Sequence, residues 1–527
     1  MIIIRDNSGV AEKLAGIMSE KGYHPILVSL PLYDKQVENK KNFNEKEVFK
    51  RDITSYEIAS FEEVAIEELF SKLSESYQDI NGFIYISPVL ETIKNNIDFF
   101  PPEDKARVKE VFLIAKHFYK YFLQNKPQLD KNFFLAVTRI DGELGLGGKF
   151  HGNAIQGSFY GLIKSLQQEW ENVFCRAIDI HPQCENKLVA EYILDELEAS
   201  DSDNIEVGRG MHGERMTLRL KERYGMRLSN NLPQKKDVFL IPGGGRGITA
   251  QCAIGLAREY GCKFLLLGRT VLKDELDTWA LGKSEKIELQ ESLMSHLRKE
   301  GKSIKPVDIE KLLSSAMNQI EIKKTISEIN EAGGEAIYMS CDVTDEEAVQ
   351  KCIFNAETVL GKITGVLNGA GVLADKKIQR KTSEDFDSVF NTKINGFGNI
   401  IKNIEPDQLK YLFFFSSIAA FFGSGGQCDY SMANEVLNKF AHDYKRLYPN
   451  ALVSSINWGP WDGGMVNDTL KMLLQLKGIK VIPIETGVRY LLDEIKYDRG
   501  MNNCQIVVNC LERMYLNDAA KGFMKYK

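Results

Sequence analysis

The chain has 527 residues, more than one ordinary core holds, so two domains or one very large unit are expected. Hydrophobic residues make up 43% and charged residues 27%, a balance that suits a soluble globular protein. The net charge of −6 comes without a dense cluster of Lys and Arg, which argues against nucleic acid as a partner.

At the N-terminus, MIIIRDNSGV has no basic region leading into a long apolar stretch, and no later apolar run reaches spanning length. A cytoplasmic chain, neither secreted nor embedded in a membrane, is expected. Short apolar runs then alternate with amphipathic helical stretches, the pattern of a parallel α/β sheet covered by helices. In the first half these runs are MIIIRD, HPILVSL, 80-INGFIYISPV, 132-NFFLAVTRIDG and 174-FCRAIDIHP. Around 226-MRLSNNLPQKKD the sequence turns polar and carries a Pro, which predicts a boundary between units at 1–228 and 229–527.

The second half is clearer. Its runs are 237-DVFLIPGG, 263-KFLLLGRT, 335-EAIYMSCDVTD, 363-ITGVLNGAG, 410-KYLFFFSS and 452-LVSSINWG, as a doubly wound fold requires. Several echo the first half in order, so two related α/β units in tandem are predicted. The Lys/Glu-rich stretch 271–330 interrupts the second unit between its second and third strands. Apolar residues recur there at helical spacing (Ile287, Leu289, Leu293, Leu297), which predicts an inserted helical hairpin or bundle packed on the outside. Nine cysteines stand singly (Cys175, Cys184, Cys252, Cys262, Cys341, Cys352, Cys428, Cys504, Cys510) and read as reduced thiols, with no zinc spacing and no metal site expected.

After the strand DVFLIP comes Gly243-Gly244-Gly245-Arg246-Gly247-Ile248-Thr249, followed by a helical run. Residues without Cβ let backbone N–H groups approach a pyrophosphate at a helix N-terminus. The spacing fits the short-chain dehydrogenase pattern GxxxGxG, except that Thr249 replaces the last Gly. The next strand ends Gly268-Arg269-Thr270, where an NAD enzyme usually places an acid. Arg269 suits a ribose 2′-phosphate, so NADPH is the expected cofactor, although an Arg there also serves to cap a strand. Asp342, before Val343, is placed to accept from an adenine amino group. Asn368-Gly369-Ala370-Gly371 ends the fourth strand with room for the cofactor ribose.

Reducing a ketone needs hydride on carbon and a proton on oxygen. Ser417 closes the fifth strand, and Tyr430 follows thirteen residues later. A phenol beside a carbonyl can supply the proton, a nearby ammonium makes it a better donor, and a serine hydroxyl can hold the same oxygen. The usual YxxxK here reads YxxxN, with Asn434 in the Lys position, while Lys393 stands where related enzymes carry Asn.

That exchange resembles the ketoreductase domains of polyketide synthases, within the short-chain dehydrogenase/reductase superfamily. The insertion and the GGRGIT loop look more like trans-acyltransferase or polyunsaturated-fatty-acid-synthase types. The resemblance spans nearly the whole chain. It implies that Tyr430 donates the proton, Ser417 holds the carbonyl, Lys393 tunes the tyrosine and Asn434 braces the Lys–water network. It also implies two tandem Rossmann-like subdomains, the first truncated and cofactor-free, the second carrying the NADPH site. Aligning 161-GLIKSLQQEW with 435-EVLNKFAHDY puts Gln156 opposite Tyr430 and Tyr160 opposite Asn434, so the first half lacks the chemistry. Asp375 and Phe422 fall at positions that favour the B-type product, a D-configured hydroxyl. Trp461 and Met465 border the substrate and begin a lid, or else form a Trp-rich turn on the sheet.

The implied substrate is a β-ketoacyl thioester on an acyl carrier protein, with neighbouring megasynthase domains as further partners. No carrier or ketosynthase motif is visible, so the chain is expected to be an excised domain or a free-standing partner. Two other readings stay open: an inactive ketoreductase kept as a scaffold, and a free-standing reductase of small ketones.

Overall fold

A strand covered by helices on both faces needs apolar residues at nearly every position, and the strong runs meet that demand. In the computed structural model, residues 1–6, 8–31, 53–77, 79–89, 100–124, 132–147, 154–221, 227–301, 305–466, 468–476, 479–498 and 504–508 are described. The first half builds β1 (Ile2–Ile4), β2 (Ile26–Ser29), β3 (Thr54–Glu57), β4 (Gly82–Ile86), β5 (Asn132–Thr138), β6 (Val173–Ile180), β7 (Glu206–Arg209) and β8 (Arg215–Thr217). They form one sheet in the order β3-β2-β1-β4-β5-β6-β7-β8, parallel except for β8. The second half builds β10 (Val238–Pro242), β11 (Lys263–Gly268), β12 (Glu335–Ser340), β13 (Ile363–Asn368), β14 (Tyr411–Ser417), β15 (Leu452–Trp458) and β17 (Gln505–Val508). These are parallel in the order β12-β11-β10-β13-β14-β15-β17. Between the halves, β9 (Arg227–Leu228) pairs antiparallel with β16 (Tyr497–Asp498).

Both sheets thus reverse direction at their first strand, the Rossmann-like arrangement. In the second, the crevice between the ends of β10 and β13 is where such folds take ligands. The strands without a clear apolar run lie at sheet margins. β3 reads Thr-Ser-Tyr-Glu and is largely exposed, so no burial forced a hydrophobic pattern on it.

Among the described residues the first sheet has eight strands and the second seven. Their first turns differ. Asp6, 1% exposed, accepts from the Ala11 backbone N–H at 3.0 Å and from the Ser8 hydroxyl, close to the start of the helix Val10–Glu20. A carboxylate from the same loop therefore takes a backbone N–H at the start of this helix, where a bound anion would otherwise sit. Gln156 and Tyr160 are equally committed: Gln156 Oε1 accepts from Arg139 N at 2.9 Å, and Tyr160 Oη bonds Thr138 Oγ1 at 2.7 Å.

The two halves meet helix to helix. Ser158–Glu169 lies against Cys428–Leu447 so closely that a Cβ on Gly161 would fall 2.5 Å from the Ser431 carbonyl carbon. Aromatic rings continue the contact, with Phe112 and Phe386 centroids 4.7 Å apart and Phe100 and Phe440 5.5 Å apart. Buried ion pairs sit along the seam: Lys164 with Glu206 at 2.8 Å and Lys439 with Glu435 at 3.0 Å.

Stretch 271–330 holds the helices Lys286–Lys299 and Pro306–Glu331, around a small core that includes Trp279, Leu289, Leu293, Leu297 and Leu313. Ile287, expected on the apolar face, is instead 72% exposed. The second helix runs unbroken for 26 residues, and Ile329 near its end packs into the core of the second sheet. Insertion and crossover helix are therefore one rod. None of the eight described cysteines is disulfide-bonded. No helix among the described residues is long and apolar enough to cross a membrane.

Candidate active site

The Gly loop bridges β10 and the helix Gly247–Tyr260. Gly247 takes φ 66°, a left-handed conformation that side chains disfavour, and the place of its missing Cβ is empty within 4 Å. Thr249, where the pattern expects Gly, is accommodated by its neighbour. A Cβ on Gly369 would meet the Thr249 side chain at 2.6 Å, so that small residue makes the room. Asn368, 1% exposed at the end of β13, leaves its Nδ2 without a partner. A glycine-rich turn at a helix N-terminus and an orphaned buried amide fit a dinucleotide.

Arg269 and Asp342 follow the ends of adjacent strands β11 and β12 and line the same cleft. Asp342 Oδ1 accepts from Thr344 N and Oγ1 at 2.9 and 2.8 Å; these bonds hold its carboxyl below the usual range and leave Oδ2 available. Arg246, Ile248, Thr270, Val343, Ala370 and Gly371 line it too.

One residue there escaped the sequence reading. Glu321, on the long insertion helix, accepts from Gly247 N at 2.9 Å and so occupies an anion-binding N–H of the cradle. No motif announces it, because the two residues lie 74 positions apart. Glu321→Gln is expected to lower the Kd for NADPH about 2- to 5-fold in a fluorescence titration, by removing a negative charge beside the phosphates. An unchanged or higher Kd would show that the carboxylate does not compete.

Three of the residues expected to be catalytic meet in this cleft, which encloses about 2040 Å³ and includes Tyr430, Ser417 and Lys393 in its lining. Ser417 Oγ accepts from Ala419 N at 3.1 Å, which fixes the serine at the start of a helical turn, and both it and Tyr430 line the cleft. Burial pushes the phenol up to about 12, against smaller downward pulls from the neighbouring Asn434 and Ser417 side chains. The tyrosine is thus held protonated at neutral pH, ready to donate.

Lys393 is 2% exposed, and desolvation lowers its ammonium to about 7. It donates to Phe415 O at 3.0 Å and stands 5.4 Å from the centroid of the Tyr430 ring. In this state burial sets the phenol's acidity, and the lysine is itself poised between charge states. A Cβ on Gly371 would fall 3.1 Å from Lys393 Cε, so the small residue after β13 admits the lysine stem. Asn434 Nδ2 donates to Tyr430 O at 2.9 Å, and its Oδ1 is buried without a partner.

Of the substrate-side residues, Asp375 Oδ2 accepts from Gln427 Nε2 at 2.9 Å, and Phe422 lines the cleft. Met465 is half exposed, with its methyl 3.8 Å from the place of a Gly371 Cβ. Trp461 is 3% exposed and packs 4.8 Å from Trp458, with a Gly487 Cβ position 2.2 Å from its ring. It is mostly a core residue that shows an edge to the cleft. Gln168, Glu171 and Asn172, from the first half, also line it, which no motif signalled.

Residues 238–463 match the family model described as KR domain. The chain is 34% identical over 412 residues to a polyunsaturated fatty acid synthase subunit of Thraustochytrium sp., an alignment that covers 75% of this chain and 14% of that protein. It is 28% identical over 255 residues to polyketide synthase PksM of Bacillus subtilis, covering 48% of this chain and 5% of that one. The chain therefore spans only a small part of the relatives it matches.

Among solved structures, an N-terminal ketoreductase from a macrolactin assembly line superposes with a TM-score of 0.69 at 18% identity, covering 99% of this chain and 88% of that one. The first ketoreductase of the tylosin synthase gives 0.67 at 17% identity, covering 99% and 92%. At such identities the likeness speaks for the fold, and it extends over both halves.

Proposed function

We propose, from the premise that residues 238–463 belong to the KR domain family, that the chain reduces the β-keto group of an acyl-carrier-protein-bound thioester with NADPH. The carrying observation is the convergence of Tyr430, Ser417 and Lys393 on the cleft that the Gly loop also lines.

When bound, the nicotinamide supplies hydride to the carbonyl carbon. Ser417 Oγ holds the carbonyl oxygen, and the Tyr430 phenol gives that oxygen its proton, yielding the alcohol. Lys393, as an ammonium, returns positive charge to the site as the phenolate forms, and Asn434 presents a free carbonyl oxygen to a connecting water. Asp375 and Phe422 favour a D-configured, B-type hydroxyl. The first half works as support. Neighbouring synthase domains would supply and collect the carrier protein.

The test is NADPH oxidation with a β-ketoacyl-pantetheine thioester, followed by chiral analysis of the product. No turnover, or an L-configured product, would respectively overturn the activity or the stereochemical assignment. Arg269 carries the cofactor choice. Arg269→Ala is expected to raise the NADPH Kd roughly 10- to 100-fold while NADH binding stays nearly constant, since a charge-assisted contact to the 2′-phosphate is lost. Equal weakening for both dinucleotides would remove Arg269 from that role.

A further inference from the structure

The segment Gly423-Ser424-Gly425-Gly426-Gln427 joins the Ser417 side of the cleft to the helix that carries Tyr430. Three of its five residues are glycines, which bring no side chains to fix the loop and lose the most entropy on ordering. Something else must hold it.

The holder is the first half of the chain. Three successive backbone N–H groups of the loop donate to one helix end there: Ser424 N to Ser165 Oγ at 3.3 Å, Gly425 N to Gln168 Oε1 at 3.1 Å and Gly426 N to Glu169 Oε1 at 2.8 Å. Gln168 Nε2 also donates to Phe422 O at 3.0 Å. Gly423, at φ 79°, lies so close to Lys164 that an added Cβ would fall 2.5 Å from its carbonyl carbon.

Glu169 does more than close this contact. Its second oxygen accepts from Ile378 N at 2.8 Å, three residues beyond Asp375. The two loops are joined again where Lys376 N donates to Gly426 O at 3.0 Å and Gln427 Nε2 to Asp375 at 2.9 Å. One half-buried carboxylate thus ties together the loop bearing Asp375 and the loop that follows Phe422. A carboxylate taking two backbone N–H groups is a strong bridge, because both bonds are charge-assisted.

We propose that Glu169 is a positioning residue for facial selectivity, a clamp by which the first half sets the distance between the Asp375 and Phe422 walls of the cleft. The role rests on the reductase reading above. It acts on orientation of the ketone and leaves cofactor binding alone, since Glu169 is not among the residues lining the cleft.

Wild type, Glu169→Ala and Glu169→Gln are compared by hydrogen exchange, NADPH Kd and the enantiomer ratio of the reduced thioester. In Glu169→Ala, exchange over 375–378 and 423–427 should rise roughly 10-fold or more with the Kd unchanged. The enantiomeric preference should erode, and Glu169→Gln, which keeps one acceptor oxygen, should restore part of it. Should the Ala variant fail to fold, the Gln variant reads the same exchange and ratio.

Raised exchange with an unaltered enantiomer ratio would overturn the selectivity role. Unchanged exchange would overturn the clamp itself. If the wild type turns over no thioester, the reductase reading falls, and the exchange data still decide the clamp.

Discussion

Replacing Tyr430 by Phe is expected to lower turnover of a β-ketoacyl thioester by about 10²- to 10⁴-fold, the usual worth of a positioned general acid. The change deletes one oxygen from a half-buried ring, so the fold and the NADPH Kd should stay close to the parent. A cofactor-binding titration beside the kinetics separates loss of chemistry from loss of the site. Near-parental turnover would remove Tyr430 as the proton donor and revive the reading of this chain as a scaffold. The phenol, at about 12, stays protonated across the ordinary assay range, so its own titration does not limit the parent rate there.

Lys393→Met is expected to slow the same reaction by about 10²-fold without lowering the thermal midpoint. The reason lies in burial. An ammonium in this position is penalised by desolvation, which is why its folded value drops from the usual 10.5 to about 7.

The sign follows from linkage. Between about pH 7 and 10.5 the unfolded chain binds a proton at Lys393 that the folded chain does not, so stability from this residue rises with pH across that window. Below about pH 7 the penalty is complete. Methionine, similar in length and uncharged, removes it, so Tm should be raised most at pH 6 and least at pH 9. The lost bond to Phe415 O offsets part of this gain. A Tm lowered at pH 6, or unaltered turnover, would contradict the account. If the cation serves the reaction, parental activity should also fall as the pH rises through about 7.

The sequence by itself determined the second sheet and the residue types of the site. Strands β10, β13, β14 and β15 are buried on both faces, so their composition had to be apolar along its length and stood out. The Gly loop was legible because a positive φ and close backbone approach leave few alternatives to glycine. Marginal strands such as β3 were hidden, since an exposed position imposes no hydrophobic pattern.

Only the tertiary structure decided what surrounds those residues. Sequence spacing suggested an ammonium that tunes a phenol; packing desolvates both groups, raising one and lowering the other, because desolvation depends on neighbours from other elements. Trp461 could be read as bordering the substrate or as part of a turn packed on the sheet, and its seat against Trp458 and Gly487 makes it mostly core.

Glu321 beside Gly247 and Glu169 beneath Gly426 carry no motif at all. Each meets its partner across many intervening residues, through a helix whose placement is set by the burial of other side chains. A single carboxylate in a polar helix face leaves no trace in composition or period, so its role exists only once the chain has folded.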